Sequence, residues 1–261
     1  MRKIFFISAL FFIYAIFGLN AYAIEDDNKE IEFSLTESFA SRHICEAQDS
    51  FPEDDPVWET SLDATLNDVF QDSDLSLGIW WGYPLESGNV AAEEIDYTIA
   101  LSHTVADRLD LSFGYSYGDF PKANRDSDFN KFYATLALDE IPNLPIKVAP
   151  HMYLAYQFEA AAEGPEDGWY LSWGFTTGLS LPVWKIFQKD QGIYMDITNW
   201  GTDGVASINP NFLYATEYSL STDYNFSAFT ITPSFHYLAS YDEDINSEDE
   251  VWGRIDIHYA F

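Results

Sequence analysis

Few residues of this chain stand in patterns that could do chemistry. Gly114-Tyr115-Ser116-Tyr117-Gly118 matches G-x-S-x-G, in which a nucleophilic serine needs a strained turn from strand to helix. Here the motif lies inside a two-residue alternation and no helical pattern follows, so its glycines and serine read as small residues on one strand face. The histidines, His43, His103, His151, His236 and His258, show no spacing typical of a metal site. Asp242, Asp244 and Asn246 occupy the first, third and fifth positions of a calcium-loop pattern. The sixth is Ser247 instead of Gly and the twelfth is Gly253 instead of Glu, so a solvated acidic loop is the plainer reading. Loose divalent binding between this loop and Asp49–Asp55 stays open. Cys45 is the only cysteine, so it forms no internal disulfide and reads as a small, half-buried apolar residue. No catalytic residue, metal site or cofactor is expected.

A second set of residues is more informative. Glu59, Asp63, Glu94, Asp96, Asp110, Lys131, Lys147, His151, Glu217, His236, Arg254 and Asp256 fall on the polar side of apolar–polar alternations. Acids lining a constriction would repel anions and attract cations. Alternatively, they pair with Arg42, Lys131, Lys147 and Arg254 and stiffen a wall. The acid excess favours cation preference for a pore as a whole.

The elements that must position these residues are strands. In Val251 to Phe261 the odd positions include Val251, Ile255, Ile257, Tyr259 and Phe261, against Arg254, Asp256 and His258. That is the period of a strand with one apolar face. Leu75 to Tyr83, Ile95 to Leu101, Leu109 to Tyr117, Ile146 to Phe158, Trp169 to Leu181 and Phe229 to Tyr237 alternate likewise, as do Trp58 to Leu66. Weaker strands are expected near Glu32–Ile44, Asp128–Leu138, Gly192–Trp200 and Asn211–Asp223. The count is about twelve, each of the roughly 9–11 residues that a tilted membrane strand requires. An even count suits a single-chain bacterial barrel.

Alternation alone does not say which face points inward. Trp58, Tyr83, Tyr117, Trp169, Tyr259 and Phe261 lie near strand ends on the apolar face, as an interfacial aromatic belt would. Gly114, Gly118, Gly174 and Gly178 on the other face suit a crowded interior. Connections Glu46–Pro56, Glu86–Ala92, Phe120–Ser127, Ala160–Asp167, Thr202–Pro210 and Asp242–Asp249 are mostly longer than the opposite set, such as Val105–Arg108 and Tyr224–Ser227, with Val183–Gln191 the exception. Long outer loops and short periplasmic turns are the expected asymmetry. The fold expected is therefore all-β, an antiparallel up-and-down transmembrane β-barrel, with no second domain, linker or internal repeat. An enzyme on such a barrel would need a Ser and a His on the outer face within hydrogen-bond reach. His103 has the outward parity, but no partner motif accompanies it.

The ends and the charge agree. Arg2 and Lys3 precede an apolar run from Ile4 to Phe17, shorter than the roughly 20 residues of a spanning helix, and Ala21-Tyr22-Ala23 is an A-x-A cleavage site. Residues 1–23 are expected to be a signal peptide cleaved after Ala23, leaving 24–261 as the barrel. The formal charge of −31 excludes nucleic acid as a partner by simple attraction. Aromatic residues make up 18% of the chain, which argues against acidic disorder.

From Asp74 onward the chain resembles the TorF-type family of outer-membrane porins. The resemblance is carried by Glu94-Ile95-Asp96-Tyr97, by Leu109 to Tyr117 followed by Phe120-Pro121, and by Gly168-Trp169-Tyr170-Leu171-Ser172-Trp173-Gly174. One departure is Lys131 before Phe132-Tyr133, where an acid is common in that family. The resemblance implies a channel with no defined substrate. The expected function is passive diffusion of small solutes or cations across the outer membrane of a Gram-negative-type bacterium. Expected partners are outer-membrane lipids and an assembly machinery that reads Val251 to Phe261. The rival is a structural or surface-interaction barrel with an occluded lumen, and more remotely a barrel phospholipase.

Overall fold

The computed structural model describes residues 31–49, 55–70, 73–85, 93–123, 127–141, 146–160, 167–181, 191–203, 205, 210–226, 229–246 and 248–261. The signal-peptide reading and the connections at 86–92 and 183–190 lie outside them.

Twelve long strands close into a ring: β1 (Ile31–Ala40), β2 (Val57–Leu66), β3 (Ser73–Pro84), β4 (Glu94–Val105), β5 (Leu109–Asp119), β6 (Phe129–Leu138), β7 (Lys147–Glu159), β8 (Gly168–Leu181), β9 (Gln191–Thr202), β10 (Asn211–Thr222), β11 (Phe229–Ser240) and β12 (Glu250–Ala260). Each pairs antiparallel with its chain neighbours, and β1 pairs with β12 from Ser34↔Ala260 to Ala40↔Arg254. Every long strand therefore has two partners and no edge is left, which is the condition a sheet must meet in lipid. Beyond β12 the closure continues: the Phe33 and Phe261 amides and carbonyls bond reciprocally at 3.0 and 2.9 Å. A two-residue strand, Tyr224–Asn225, extends the β10 side of the β11 pairing.

The alternation fixes which side faces out. Phe113, Phe132 and Leu179 are 62%, 56% and 64% exposed, whereas Glu59, Ser116 and Lys131 on intervening positions are 3%, 4% and 8% exposed. A water-soluble barrel would carry the reverse pattern. The two kinds of connection also separate. The start of β1, the end of β12 and the turn at Ala106–Asp107 lie at one end, here called the terminus end. Ala106 and Asp107 both adopt positive φ (53° and 56°) and the Arg108 amide closes on the Val105 carbonyl, so the twist of the turn matches that of the strands. The opposite end, the loop end, carries the segments after β1, β3, β5, β7, β9 and β11.

The first strand is shorter than its sequence pattern suggested. It ends at Ala40 instead of continuing to Ile44. Ile44–Cys45 and Gln48–Asp49 instead form a separate small hairpin. Ala40 is buried against Val57, which starts the return strand, so the chain leaves the wall there.

Candidate functional site

The hairpin turns into the barrel and crosses its bore. It is launched from β1, yet its tip meets the opposite wall, half a ring away. Glu46 accepts from Lys131 Nζ on β6 at 2.7 Å and from Tyr153 Oη on β7 at 2.9 Å. Gln48 Nε2 donates to Tyr170 Oη on β8 at 3.4 Å. Tyr214 Oη on β10 donates to the Glu46 carbonyl oxygen, and Asn246 Nδ2, from the last loop, donates to the Ala47 carbonyl oxygen at 2.7 Å. Ala47 packs with Tyr214, Ala215, Leu238 and Trp252, and Ile44, Trp200 and Ile245 close around them. This is an apolar cluster inside a polar bore, and each large side chain buried in it contributes about 1.5–3 kcal/mol.

The tip carries backbone strain. Glu46 and Ala47 both hold positive φ (49° and 57°) without glycine or asparagine at either position. Such residues cost roughly 1 kcal/mol or more each and persist only where the surroundings hold them. Here the wall bonds converge on those same two residues. Cys45 lies beside them and is half-buried, as its sequence reading held. Burial, then the Glu46 carboxylate, push its thiol well above the ordinary range.

The charged residues of the polar face fall into three groups. Glu59, Arg254 and Asp256 come together: Arg254 reaches Glu59 Oε2 at 2.9 Å and Asp256 Oδ1 at 2.7 Å, and His43 Nδ1 lies 3.0 Å from Glu59 Oε1. Ser38 on β1 joins this group through Arg254 and Asp256. Glu94, Asp96 and Lys131 form the second. Asp96 Oδ1 lies over Gly118 against the Phe129 ring, buried and without a hydrogen-bond partner among the described residues, and Lys131 Nζ sits 4.9 Å over the same ring with Glu46 as its direct partner. The third links His151 to Thr198 at 2.9 Å, and Asp196 to Thr176 and Thr198. Elsewhere Glu217 meets His236 Nδ1 at 2.9 Å, and His236 stacks on Trp252 at 4.7 Å. Asp63 accepts from Ser61. Asp110 and Lys147 sit at the terminus end, bonded to Thr104 and Glu140. Arg42, Lys131, Lys147 and Arg254 each hold an acid, with Arg42 on Glu250.

A cavity of about 210 Å³ opens toward the terminus end, lined by Glu140, Lys147, Thr176, Gly178 and Tyr194 among others. Trp80 and Trp200, on the polar face, do narrow the bore: Trp80 stacks on His43 at 5.4 Å and Trp200 lies edge-on to Tyr153 at 6.3 Å.

The aromatic rim has a construction of its own. Tyr117 Oη donates to Asp128 Oδ2 at 2.9 Å while the Phe120 amide donates to Asp128 Oδ1 at 3.0 Å. Tyr156, Glu159 and Asp167 repeat this at 3.2 and 3.1 Å, and Tyr237, Ser240 and Asp249 at 2.6 and 3.0 Å. In each case an outward tyrosine and the amide three residues later clasp an aspartate at the far side of the loop. Trp81 does likewise with Glu93, which also pairs with Lys122. Trp58, Tyr83 and Trp169 stand on the same loop-end rim, while Tyr259 and Phe261 form the terminus-end rim. The sequence reading found no internal repeat. This one is a spacing of 11 or 12 between Tyr and Asp, with no shared motif between.

The chemistry weighed at the outset resolves differently case by case. Ser116 lies mid-strand on the inner wall opposite Lys131 and Thr98, so the G-x-S-x-G match is not a nucleophile elbow. Among the described residues no three metal-ligating side chains come together, and Asp242 instead holds Asn211. His103 does gain a serine that sequence reasoning missed: Ser73 Oγ lies 3.3 Å from its Nδ1 on the outer face. An acyl-transfer serine must be open to substrate, and Ser73 is 7% exposed. Glu46, Gln48, Tyr153, Tyr170, Tyr214 and Asn246 were also missed. The available signal was the bulk of Tyr153 and Tyr170 on a face otherwise rich in small residues.

No protein-family profile and no curated protein sequence matches the chain. Solved structures do. LpxR from Salmonella typhimurium superposes with a TM-score of 0.54 at 13% identity, covering 87% of this chain and 99% of that one. The KdgM porin superposes with a TM-score of 0.50 at 9% identity, covering 87% and 99%. The shared property is the closed barrel of outer-membrane proteins.

Proposed function

We propose that the chain is an outer-membrane channel for passive diffusion of small solutes or ions, with preference for cations. One observation carries this: charged and hydroxyl side chains line a bore whose outside is apolar, an arrangement that can hydrate a passing solute. The cation preference rests on the acids of that bore. Membership of the TorF-type porins, cleavage after Ala23, insertion among outer-membrane lipids and assembly through Val251 to Phe261 belong to the same proposal, as does the lack of a catalytic role.

The hairpin favours a second reading, an occluded barrel that presents its loops. Planar-bilayer recording of the refolded mature chain separates the two. Stepwise currents with a cation-signed reversal potential in a salt gradient support the channel. A heat-modifiable, folded sample that passes neither ions nor solutes in liposome swelling supports the occluded barrel. A lipase assay on the same sample tests the Ser73–His103 contact.

A further inference from the structure

We propose that the Ile44–Asp49 hairpin is a reversible gate and that Lys131 is its latch, exchanging Glu46 of the hairpin for Glu94 and Asp96 of the wall when the gate opens. The inference rests on the channel reading for its consequence, though not for the movement itself.

Three features distinguish a gate from a fixed plug. The hairpin is anchored at its tip to strands on the far side of the bore, while its base follows β1; release of the tip bonds together with the Ala47 packing therefore frees the tip. Those bonds converge on Glu46 and Ala47, the two residues of the tip. The third feature is the acid pair beside Lys131. A buried lysine whose only counter-ion leaves would be strongly disfavoured. Lys131 escapes this because Glu94 and Asp96 stand on the wall beside it, independent of the hairpin: Asp96 Oδ1 lies over Gly118 against the Phe129 ring, and Lys131 Nζ sits 4.9 Å over that same ring. In the closed state Asp96 Oδ1 is buried with no hydrogen-bond partner among the described residues. Ser116, which faces Lys131 across the β5–β6 ladder, has a buried hydroxyl without a protein partner, so the wall side of this pocket retains unused polar capacity. Both positions of the hairpin thus leave Lys131 with a counter-ion, as a two-state element requires.

Cys45 makes the movement measurable, because the chain's single thiol lies on the hairpin itself. The refolded full-length mature barrel would be treated with a charged, membrane-impermeant methanethiosulfonate, alongside bilayer recording. Glu46→Gln is expected to raise the labelling rate of Cys45, taken per thiolate from the pH profile of each variant because Glu46 itself holds the thiol up, roughly tenfold or more, since it removes a charge-assisted bond, and to raise the open fraction with it. Glu94→Gln combined with Asp96→Asn is expected to do the opposite, lowering labelling and open fraction, because Lys131 then has no partner other than Glu46. A plug held only by structure would give no such opposition of sign. Labelling that is unchanged in Glu46→Gln, in a sample that remains heat-modifiable, overturns the latch. So does a double variant that labels faster than the parent. Labelling that rises without any current supports the latch and overturns the channel reading.

Discussion

Arg254 of β12 reaches across β1 to Glu59 of β2, with Nη1 2.9 Å from Oε2, and Ser38 of the intervening strand donates to Asp256 beside them. The pair therefore staples the seam at which the first and last strands close the ring. Glu59 is 3% exposed, so removing its cation leaves a buried carboxylate without a guanidinium to answer it. Arg254→Met is expected to destabilise the barrel by about 3 kcal/mol, at the lower end for a broken buried pair because Arg254 keeps some solvent contact. The check is the midpoint of reversible urea unfolding in lipid vesicles. An unchanged midpoint would mean that the seam is held by its backbone ladder alone.

The loop-end clasps give a prediction in pH. Asp249 lies outside the membrane-spanning strands, and the Tyr237 hydroxyl, then the Ser240 amide, hold its carboxyl below the ordinary value of 3.8. A depressed folded value means that the clasp adds stability above the unfolded value and loses it as pH falls through the folded one. The β11–β12 loop should therefore stay ordered at neutral pH and loosen only below about pH 4. Tyr237→Phe should move the Asp249 titration upward, toward that of a free aspartate. Carboxyl-carbon NMR of labelled protein in nanodiscs reads the shift directly; a titration indifferent to Tyr237→Phe would dismiss the clasp as a chance contact.

The barrel was legible because its signal is repeated. Each strand from Trp58 to Phe261 states the same alternation, and the turn at Val105–Arg108 and the aromatic end agree with it. Polar-face membership of Glu59, Lys131 and Arg254 followed from that parity alone. The hairpin was not legible. Cys45-Glu46-Ala47-Gln48 contains none of the glycine or asparagine that marks a tight turn, and its partners Lys131 and Asn246 lie 85 and 199 residues away from Glu46 and Ala47. Tyr214 turned inward for a further reason without a sequence mark: the register shifts between Trp200 and Thr202, where the β9–β10 pairing is irregular. Contacts of this kind depend on closure of the ring, which brings distant strands face to face only after the whole sheet has formed.

The barrel's glycines should divide by what stands over them, the inward Gly174 against the outward Gly253. A Cβ at Gly174 would run into the Ile197 carbonyl oxygen and lie 2.9 Å from His151 Nε2, so backbone as well as side chain would have to move. At Gly253 the nearest atom is the Ser234 carbonyl oxygen at 3.9 Å, an ordinary contact. Gly174→Ala is expected to cost about 3 kcal/mol or to prevent folding, while Gly253→Ala leaves the barrel unaffected within about 0.5 kcal/mol. Heat-modifiability on gels and urea midpoints distinguish the two; equal tolerance at both sites would show that β8 and β9 can separate more than their ladder implies.

Selectivity should reside in the acids that no lysine or arginine answers. Glu46 is balanced by Lys131, and Glu59 and Asp256 share Arg254. Asp63 and Asp196 are held instead by hydroxyls, Ser61 for the first and Thr176 and Thr198 for the second, with His151 Nδ1 3.6 Å from Asp196, and among the described residues neither has a lysine or arginine within ion-pair distance. Hydroxyl donors orient a carboxylate without cancelling its charge, so these two set a net negative potential along the bore on which a passing cation can draw. Asp63→Asn with Asp196→Asn is expected to move the reversal potential toward zero in a salt gradient, and Asp63→Lys to move it further in the same direction. Because neither residue touches the hairpin, the open fraction should not change with the selectivity. A reversal potential that ignores both variants would transfer ion preference to the acidic loops outside the barrel.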